Sequence, residues 1–436
     1  IRNSYLVTRL YIEPSGQRNM LLLDSESGVP DYWSTLYVTN SLRARHLRLG
    51  TIEKHLQALQ SLFMWAELRG INLIDKIASG KAFNINDTDS LTSILKLRAD
   101  ELPKLISSFN TSTSEIHVKT SQARNIWKKF DAIPRQVTPA NFNDKIKYIG
   151  KYIEWLSNIL SDCHSKSITR EQIRTVGYEF KTSLGGQKVV VPKDNFGASK
   201  SLGNAEIQRI LKVVNPLSPE NPWDGEATRI RNFTIILVLL DSGMRSGELL
   251  NLKITDVIRG KTKQYGLRIV QRSGSINDPR KKQRLPKTVQ REVPISDTAF
   301  KALNHYITEV KAKTPNGQKT EYIFVSHSNS SQGKPLHSIN SITEDIRKVT
   351  SIDLTPHVFR HTATWKYCVR MKKEGKEWKD FVELLLLKFG WASEKSPTVR
   401  LYARKFIKED LFERQIKQQD EYVQDVSNIL FLLNKE

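Results

Sequence analysis

The stretch Thr355-Pro-His-Val-Phe-Arg-His-Thr-Ala-Thr-Trp365 decides how the rest of the chain is read. Pro356 suits the first turn of a helix, where a missing N–H costs nothing. That makes Thr355 the expected N-cap and leaves Val358, Phe359 and Ala363 for burial. On such a helix His357, Arg360 and His361 stand at i, i+3 and i+4 and project from one face. Three nitrogen-bearing side chains near a helix start make an anion site, to which the helix dipole adds. A metal pair or a solvated polar face accounts for this stretch alone equally well, so the choice rests on the other motifs.

Working outward, Ile230 to Leu240 is apolar almost all round and reads as a buried helix that stops at Asp241-Ser-Gly243. Directly after it comes Met244-Arg-Ser-Gly-Glu-Leu-Leu-Asn-Leu252. Packing of the leucines anchors Arg245 while leaving its guanidinium outward, and Glu248 is placed to hold that guanidinium or to cap the new helix. From Asp256 to Ile295 the period shortens to alternation, with strands at Val257-Ile258, Leu267 to Val270 and Glu292 to Ile295. Between the last two, Arg280 to Thr288 is a basic hairpin whose tip can reach into a groove. Downstream, an apolar helix Phe381 to Leu387 stops at Gly390-Trp391. Past a loop with Pro397, another helix begins at Val399 and carries Tyr402. A tyrosine in that setting is more often packing than chemistry.

The first half reads differently. Tyr5 to Ile12 and Met20 to Leu23 form a small β element that must pack on something to persist. Ser41-Leu-Arg-Ala-Arg-His-Leu-Arg48 is a basic patch, offering Arg43, Arg45 and Arg48 to a polyanion. Thr51 is the expected cap of a helix whose Ile52, Leu56, Leu59, Phe63 and Ala66 form one stripe up to Gly70. Further helices are expected at Ser121 to Phe130, with Arg124, Lys128 and Lys129, and at Ala140 to Leu160. Gly185 to Ser199 has the Gly, Pro and Ser content of a linker.

The chain has 436 residues, too many for one core, and a net charge of +22. The isoelectric point of about 9.8 and the spread of Lys and Arg along the whole length point to a partner that is a polyanion over a large surface. No apolar run is long enough to cross a bilayer, so no membrane partner is expected. Two cysteines far apart, Cys163 and Cys368, argue for a reducing, cytoplasmic setting and against structural zinc. The chain begins at Ile1 rather than Met, so residues upstream are expected.

Two arginines, two histidines, a hairpin lysine and a late tyrosine, with no carboxylate cluster for Mg²⁺, make a metal-free phosphodiester site that needs no cofactor. In this order the motifs resemble the tyrosine recombinases, also called the phage integrase family: Arg245-Ser-Gly-Glu-Leu, Lys287-Thr before Arg291-Glu-Val-Pro294, His357-Val-Phe-Arg360-His361, Gly390-Trp391 and Tyr402. The resemblance covers roughly Ser201 to Lys417. It implies that Arg245 and Arg360 clamp the scissile phosphate, Lys287 is the general acid, His357 assists proton transfer, Trp391 occupies a site often held by histidine, and Tyr402 is the nucleophile. Glu248 and His361 would support them. The segment from Lys287 to Pro294 is tighter than the family's hairpin, which leaves Lys282 or Lys281 as alternatives. Lys281, Lys282 and Arg284 are also expected on DNA.

The implied fold is mainly α with a small antiparallel β-sheet in the catalytic domain: an all-helical core-binding domain plus an α+β catalytic domain. The divisions are 1–32 as a β extension, 33–183 as the core-binding domain, 184–200 as linker, 201–416 as catalytic domain and 417–436 as a tail helix docking in trans. The implied activity is site-specific DNA recombination through a 3′-phosphotyrosyl intermediate. The alternatives are a type IB topoisomerase-like nicking and resealing enzyme and a catalytically inactive architectural DNA-binding protein. The implied partners are double-stranded DNA and further copies of the chain, a dimer per site and a tetramer in the synapse. Accessory DNA-bending factors and association with the nucleoid complete the expectation.

Overall fold

The computed structural model describes residues 6–191 and 201–433, except 16, 102–134, 165–166, 261–263, 273–277, 279 and 281–288, and except the side chains of 167–168, 410 and 419–433. The chain divides into two compact units, Ile1–Lys193 and Asp194–Glu436. Among the described residues both are built mostly of helices, with one small antiparallel sheet in each.

In the first unit, β1 (Leu6–Ile12) and β2 (Arg18–Asp24) pair as a hairpin from Leu6↔Asp24 to Ile12↔Arg18. The helices are α1 (Tyr32–Tyr37), widening into a further turn Val38–Arg43, then α2 (Leu49–Leu68), α3 (Leu73–Ala78), α4 (Ile85–Leu95), α5 (Pro139–Asp162) and α6 (Ser167–Gly186). The hairpin finds its support in this unit: Met20 and Leu22 are buried in the same core as Leu56 and Leu59 of α2. Burying each of those two side chains stabilises the hairpin by about 2 kcal/mol, enough to hold a two-stranded ribbon that is marginal alone.

Helix α2 starts two residues before Thr51, with Arg48 as the extended N-cap residue. The Arg48 carbonyl already accepts from Thr51 N at 2.8 Å and Ile52 N at 3.0 Å, so the chain has turned before the threonine is reached. In α5, Pro139 takes the first position and the Thr138 hydroxyl accepts from Asn141 N at 3.3 Å. Its Ile146, Ile149, Ile153 and Leu156 are buried, while Ile159 is only half-buried. Helix α6 continues through Gly185 and Gly186, so the start of the expected linker is helical. The expected helix at Ser121 to Phe130 lies outside the described residues.

The second unit comprises α7 (Asn204–Val214), α8 (Glu226–Ser242), α9 (Ser246–Leu250), a sheet of β3 (Val257–Arg259), β4 (Tyr265–Ile269) and β5 (Arg291–Ile295), then α10 (Asp297–His305), α11 (Asn340–Thr350), α12 (Pro356–Lys373), α13 (Trp378–Phe389) and α14 (Pro397–Leu433). The strands pair in the order β3-β4-β5, Val257 opposite Leu267 and Ile269 opposite Arg291. Helix α8 is buried on most sides, as its apolar run requires. Its end is fixed by Gly243 at φ +63, where a Cβ would overlap the Phe389 ring and lie 2.9 Å from Ala363 Cβ. Only glycine fits that turn on both counts. A satellite core of Ala363, Phe381, Leu385, Phe389, Val399 and Phe406 joins α12, α13 and α14.

The expected tail helix of 417–436 is not a separate element. Pro397 opens α14 rather than lying in a loop, and the helix runs unbroken to Leu433 because no Gly or Pro interrupts 398–433. Ile407, Leu411, Phe412 and Ile416 on it are each more than half exposed. The side chains of the apolar stripe from Tyr422 to Leu433 lie outside the description. Among the described residues no helix is long and apolar enough to cross a membrane.

Candidate active site

Four chain segments converge in the second unit. The first part of α12 places Val358, Phe359 and Ala363 in the interior, with Pro356 at its first position and Thr355 extended before it. The Thr355 backbone caps the helix, but its hydroxyl makes no capping bond. Arg360 follows the apolar residues inward rather than standing clear: it is 2% exposed. Its Nη1 donates to the carbonyl of Gly243, just past α8, at 2.9 Å and its Nη2 to the carbonyl of Phe389, the last residue of α13. Helix ends offer unpaired carbonyls and the negative end of a dipole, both of which suit a buried cation. Its Cζ also lies 5.4 Å from the Phe389 ring and 5.1 Å from the Trp391 ring.

Arg245 is the N-cap residue of α9. Glu248, at the third position of that helix, accepts from Arg245 N at 2.9 Å through Oε2 and from Arg245 Nη1 at 3.4 Å through Oε1. The two roles weighed for Glu248 from the sequence, holding the guanidinium and capping the helix, are therefore both filled. Burial lowers the pKa of Arg245, opposed by Glu248 and reinforced by Arg291. Burial also lowers that of Arg360, and the Arg245 charge adds to it. The two guanidiniums thus feel each other across a pocket of positive charge, where a bound anion would relieve their repulsion.

The histidines complete that pocket. The His357 and His361 rings lie 4.4 Å apart, edge to face at 76°. Burial, then Arg360 and Arg245, lower the pKa of His357. Burial, then His357, Arg360 and Lys405, hold His361 at about 4, so its ring is neutral at neutral pH. Its Nδ1 is hydrogen-bonded to the Tyr402 hydroxyl. Tyr402 is fully buried. Burial pushes its pKa well up, against the opposing influence of Thr364 and Arg360. The hydroxyl therefore stays protonated in this arrangement and shares its hydrogen bond with the neutral imidazole. Trp391, 7% exposed, closes the group with its ring 5.8 Å from that of Tyr402.

Arg245, Glu248, His357, Arg360, His361, Trp391 and Tyr402 are thus brought together. Lys281, Lys282, Arg284 and Lys287 lie outside the described residues, as do Arg124, Lys128 and Lys129. Arg280, which opens the basic hairpin, is buried. It pairs with Asp278 and donates to the Leu250 carbonyl at 2.8 Å and to Asn251 Oδ1 at 2.7 Å. In the first unit, Arg43 turns onto the hairpin, 4.0 Å from Glu13 and hydrogen-bonded to Asn19. Arg45 is exposed with its Nη2 3.0 Å from Ser41 Oγ, and Arg48 is half-buried.

Sequence reading gave no role to Arg291, whose side chain is 7% exposed and whose Nη2 lies 2.8 Å from Glu248 Oε2. The available signal was alternation: Arg291 shares the inward face of β5 with buried Val293 and Ile295, an unusual place for a charge. Among the described residues no group of three or more His, Cys, Asp or Glu is arranged to hold a metal ion.

Residues 200–386 match the model of the phage integrase family. Tyrosine recombinase XerD of Caulobacter vibrioides is 27% identical over 201 residues, 45% of this chain and 58% of that protein. Tyrosine recombinase XerD of Halalkalibacterium halodurans is 25% identical over 178 residues, 40% of this chain and 50% of that one. The chain thus spans between half and three-fifths of the length of these relatives. A solved structure of the XerH site-specific recombinase bound to palindromic difH substrate, a post-cleavage complex, has a TM-score of 0.41 and 15% identity, covering 82% of this chain and 96% of that chain. Residues 200–386 of the second unit are thus similar to the phage integrase family. The matched span ends before Trp391 and Tyr402, so it is the fold that joins those two residues to the rest of the site.

Proposed function

We propose that this chain cuts and rejoins double-stranded DNA through a covalent link between Tyr402 and a 3′-phosphate, as a site-specific recombinase. The observation that carries the reading is the hydrogen bond between the buried Tyr402 hydroxyl and a neutral His361 beside two mutually repelling guanidiniums. A phosphodiester set between Arg245 and Arg360 supplies the missing negative charge, and both forks stabilise the equatorial oxygens of a pentacoordinate phosphorus. The Tyr402 oxygen then forms a bond to phosphorus as the 5′ oxygen of the next nucleotide leaves. The tyrosine proton passes to a site imidazole, and a lysine of the basic hairpin, Lys287 or its neighbours Lys281 and Lys282, protonates the leaving oxygen. One phosphoester replaces another, so the reverse attack by a 5′-hydroxyl reseals the strand with no net energy input. The charge of +22 supports a polyanionic substrate.

A DNA duplex carrying the ends of the host element and a nick that lets the cleaved fragment diffuse away traps the covalent species. Wild type accumulates a protein–DNA adduct on denaturing gels. Tyr402→Phe accumulates none while binding DNA with nearly unchanged affinity, because a single hydroxyl is removed. An adduct that survives in Tyr402→Phe, or a wild type that forms none on its own ends, refutes the reading.

A further inference from the structure

We propose that Arg291 is a positioning residue that keeps Arg245 available to an anionic substrate by taking the larger share of Glu248. The inference rests on the proposed phosphodiester site and adds to it a residue to which no role attaches. Arg291 Nη2 donates to Glu248 Oε2 at 2.8 Å and its Nη1 to Glu248 Oε1 at 3.3 Å, a two-point fork on the carboxylate. The guanidinium of Arg245 reaches the same carboxylate by one longer contact of 3.4 Å and remains 29% exposed. Of these two guanidiniums, that of Arg291 thereby holds Glu248 the more firmly, while Arg245 keeps donors directed away from it.

The same side chain also fixes where that carboxylate sits. Arg291 Nε donates to the Lys388 carbonyl at 3.0 Å. The next carbonyl, of Phe389, is the one that Arg360 takes. Two consecutive carbonyls at the end of α13 thus receive two different arginines, one leading to Glu248 and Arg245, the other being Arg360 itself. The turn after them is shaped to admit Arg291: Gly390 has φ +62, and a Cβ there would lie 2.5 Å from Arg291 Nη1 and 2.8 Å from its Cζ. Arg291 therefore sets the spacing between the two phosphate-facing arginines as well as the charge left on the first. Removing it leaves Glu248 with Arg245 as the nearest described guanidinium, and the closer ion pair that forms withdraws Arg245 from substrate.

The test is a double-mutant cycle with two readouts. Arg291→Met slows adduct formation on the nicked duplex by about 100-fold, the scale of a misplaced reacting group. It also weakens sulfate binding to the free protein, followed by calorimetry as the component that Arg360→Ala abolishes, by about tenfold. Glu248→Gln in the Arg291→Met background removes the charge that captures Arg245 and recovers most of both losses, while the substituted amide keeps an oxygen for the helix cap. Arg291→Lys, which keeps the charge without the fork, lies between wild type and Arg291→Met. Should Arg291→Met be too unstable to assay, Arg291→Lys with and without Glu248→Gln gives the same comparison. A double variant that is folded yet as impaired as the single one in both readouts overturns the proposal and leaves Arg291 a purely structural brace. A wild type that forms no adduct counts against the recombinase reading, while the sulfate arm still decides the role of Arg291.

Discussion

Asp87 in the first unit and Glu248 in the second occupy the same local position, the third residue of a helix, and do the same local work. Asp87 accepts from Asn84 N at 3.1 Å as Glu248 accepts from Arg245 N, so each carboxylate caps its own helix. Each is almost wholly buried, and among the described residues each pairs with two cations, Arg69 and Lys76 on Asp87, Arg245 and Arg291 on Glu248. The difference is what surrounds the triad. Arg69 and Lys76 close over Asp87 and tie α2 and α3 to α4. Around Glu248 a third guanidinium, Arg360, and two neutral histidines face the same space, so positive charge is left over and remains reachable. Two cations on one buried carboxylate are common to both triads; what marks the second as a candidate binding site is the further cation beside it and the exposure that Arg245 retains.

The largest expected effect separates the two triads. Arg360→Ala removes a cation from the overcharged group and slows adduct formation by roughly 1000-fold, the cost of a lost transition-state contact of this kind. Asp87→Ala leaves two cations facing each other and destabilises the first unit by about 3 kcal/mol. Measured per folded molecule by single-turnover kinetics, adduct formation by Asp87→Ala proceeds at the wild-type rate. A rate loss in Asp87→Ala that exceeds its unfolded fraction would erase the distinction.

A middle-sized effect sharpens the comparison through pH. His55 and His361, one in each unit, are both held at about 4, chiefly by burial. A histidine whose folded pKa lies below its unfolded value of about 6.5 binds its proton more readily when unfolded. Its contribution to stability is complete above about pH 6.5 and is lost as pH falls through about 4. His55→Gln and His361→Gln should each flatten the fall of melting temperature between those limits. Only His361→Gln should also change the pH profile of adduct formation, because only that imidazole touches Tyr402. Two indistinguishable profiles would show that His361, like His55, is packing alone.

These contrasts also show what could be read from the chain before its structure. The stop at Gly243, the cap at Glu248 and the start of α12 at Pro356 are local signals, set within one turn of the residue that carries them. The individual helices and strands are legible because apolar periods of 3.6 and 2 are local as well, whereas the fold class is what the family resemblance implies. Burial of Arg360 and the role of Arg291 are not local. Each depends on carbonyls at the end of α13, reached only after β5 and α12 have packed, and no spacing in the sequence announces that meeting. The continuity of α14 was legible in its lack of Gly and Pro. It was misread as two helices because the apolar stripe of its later part was weighed by itself.

The smallest effect isolates space from conformation. Gly70, after α2, and Gly243, after α8, share a left-handed backbone at φ +61 and +63. An alanine at either position meets the same backbone penalty, about 1 kcal/mol. At Gly70 nothing lies within 4 Å of the added Cβ, so that penalty is the whole cost: Gly70→Ala lowers the melting temperature slightly and leaves adduct formation untouched. At Gly243 the same methyl runs into the ring of Phe389, the residue whose carbonyl accepts from Arg360. Gly243→Ala should therefore cost about 1 to 3 kcal/mol more than Gly70→Ala in denaturant titrations, and it should slow the chemistry as well. Equal losses in the two variants would mean that the Gly243 turn relaxes without disturbing Arg360, and that the site tolerates more movement than its packing implies.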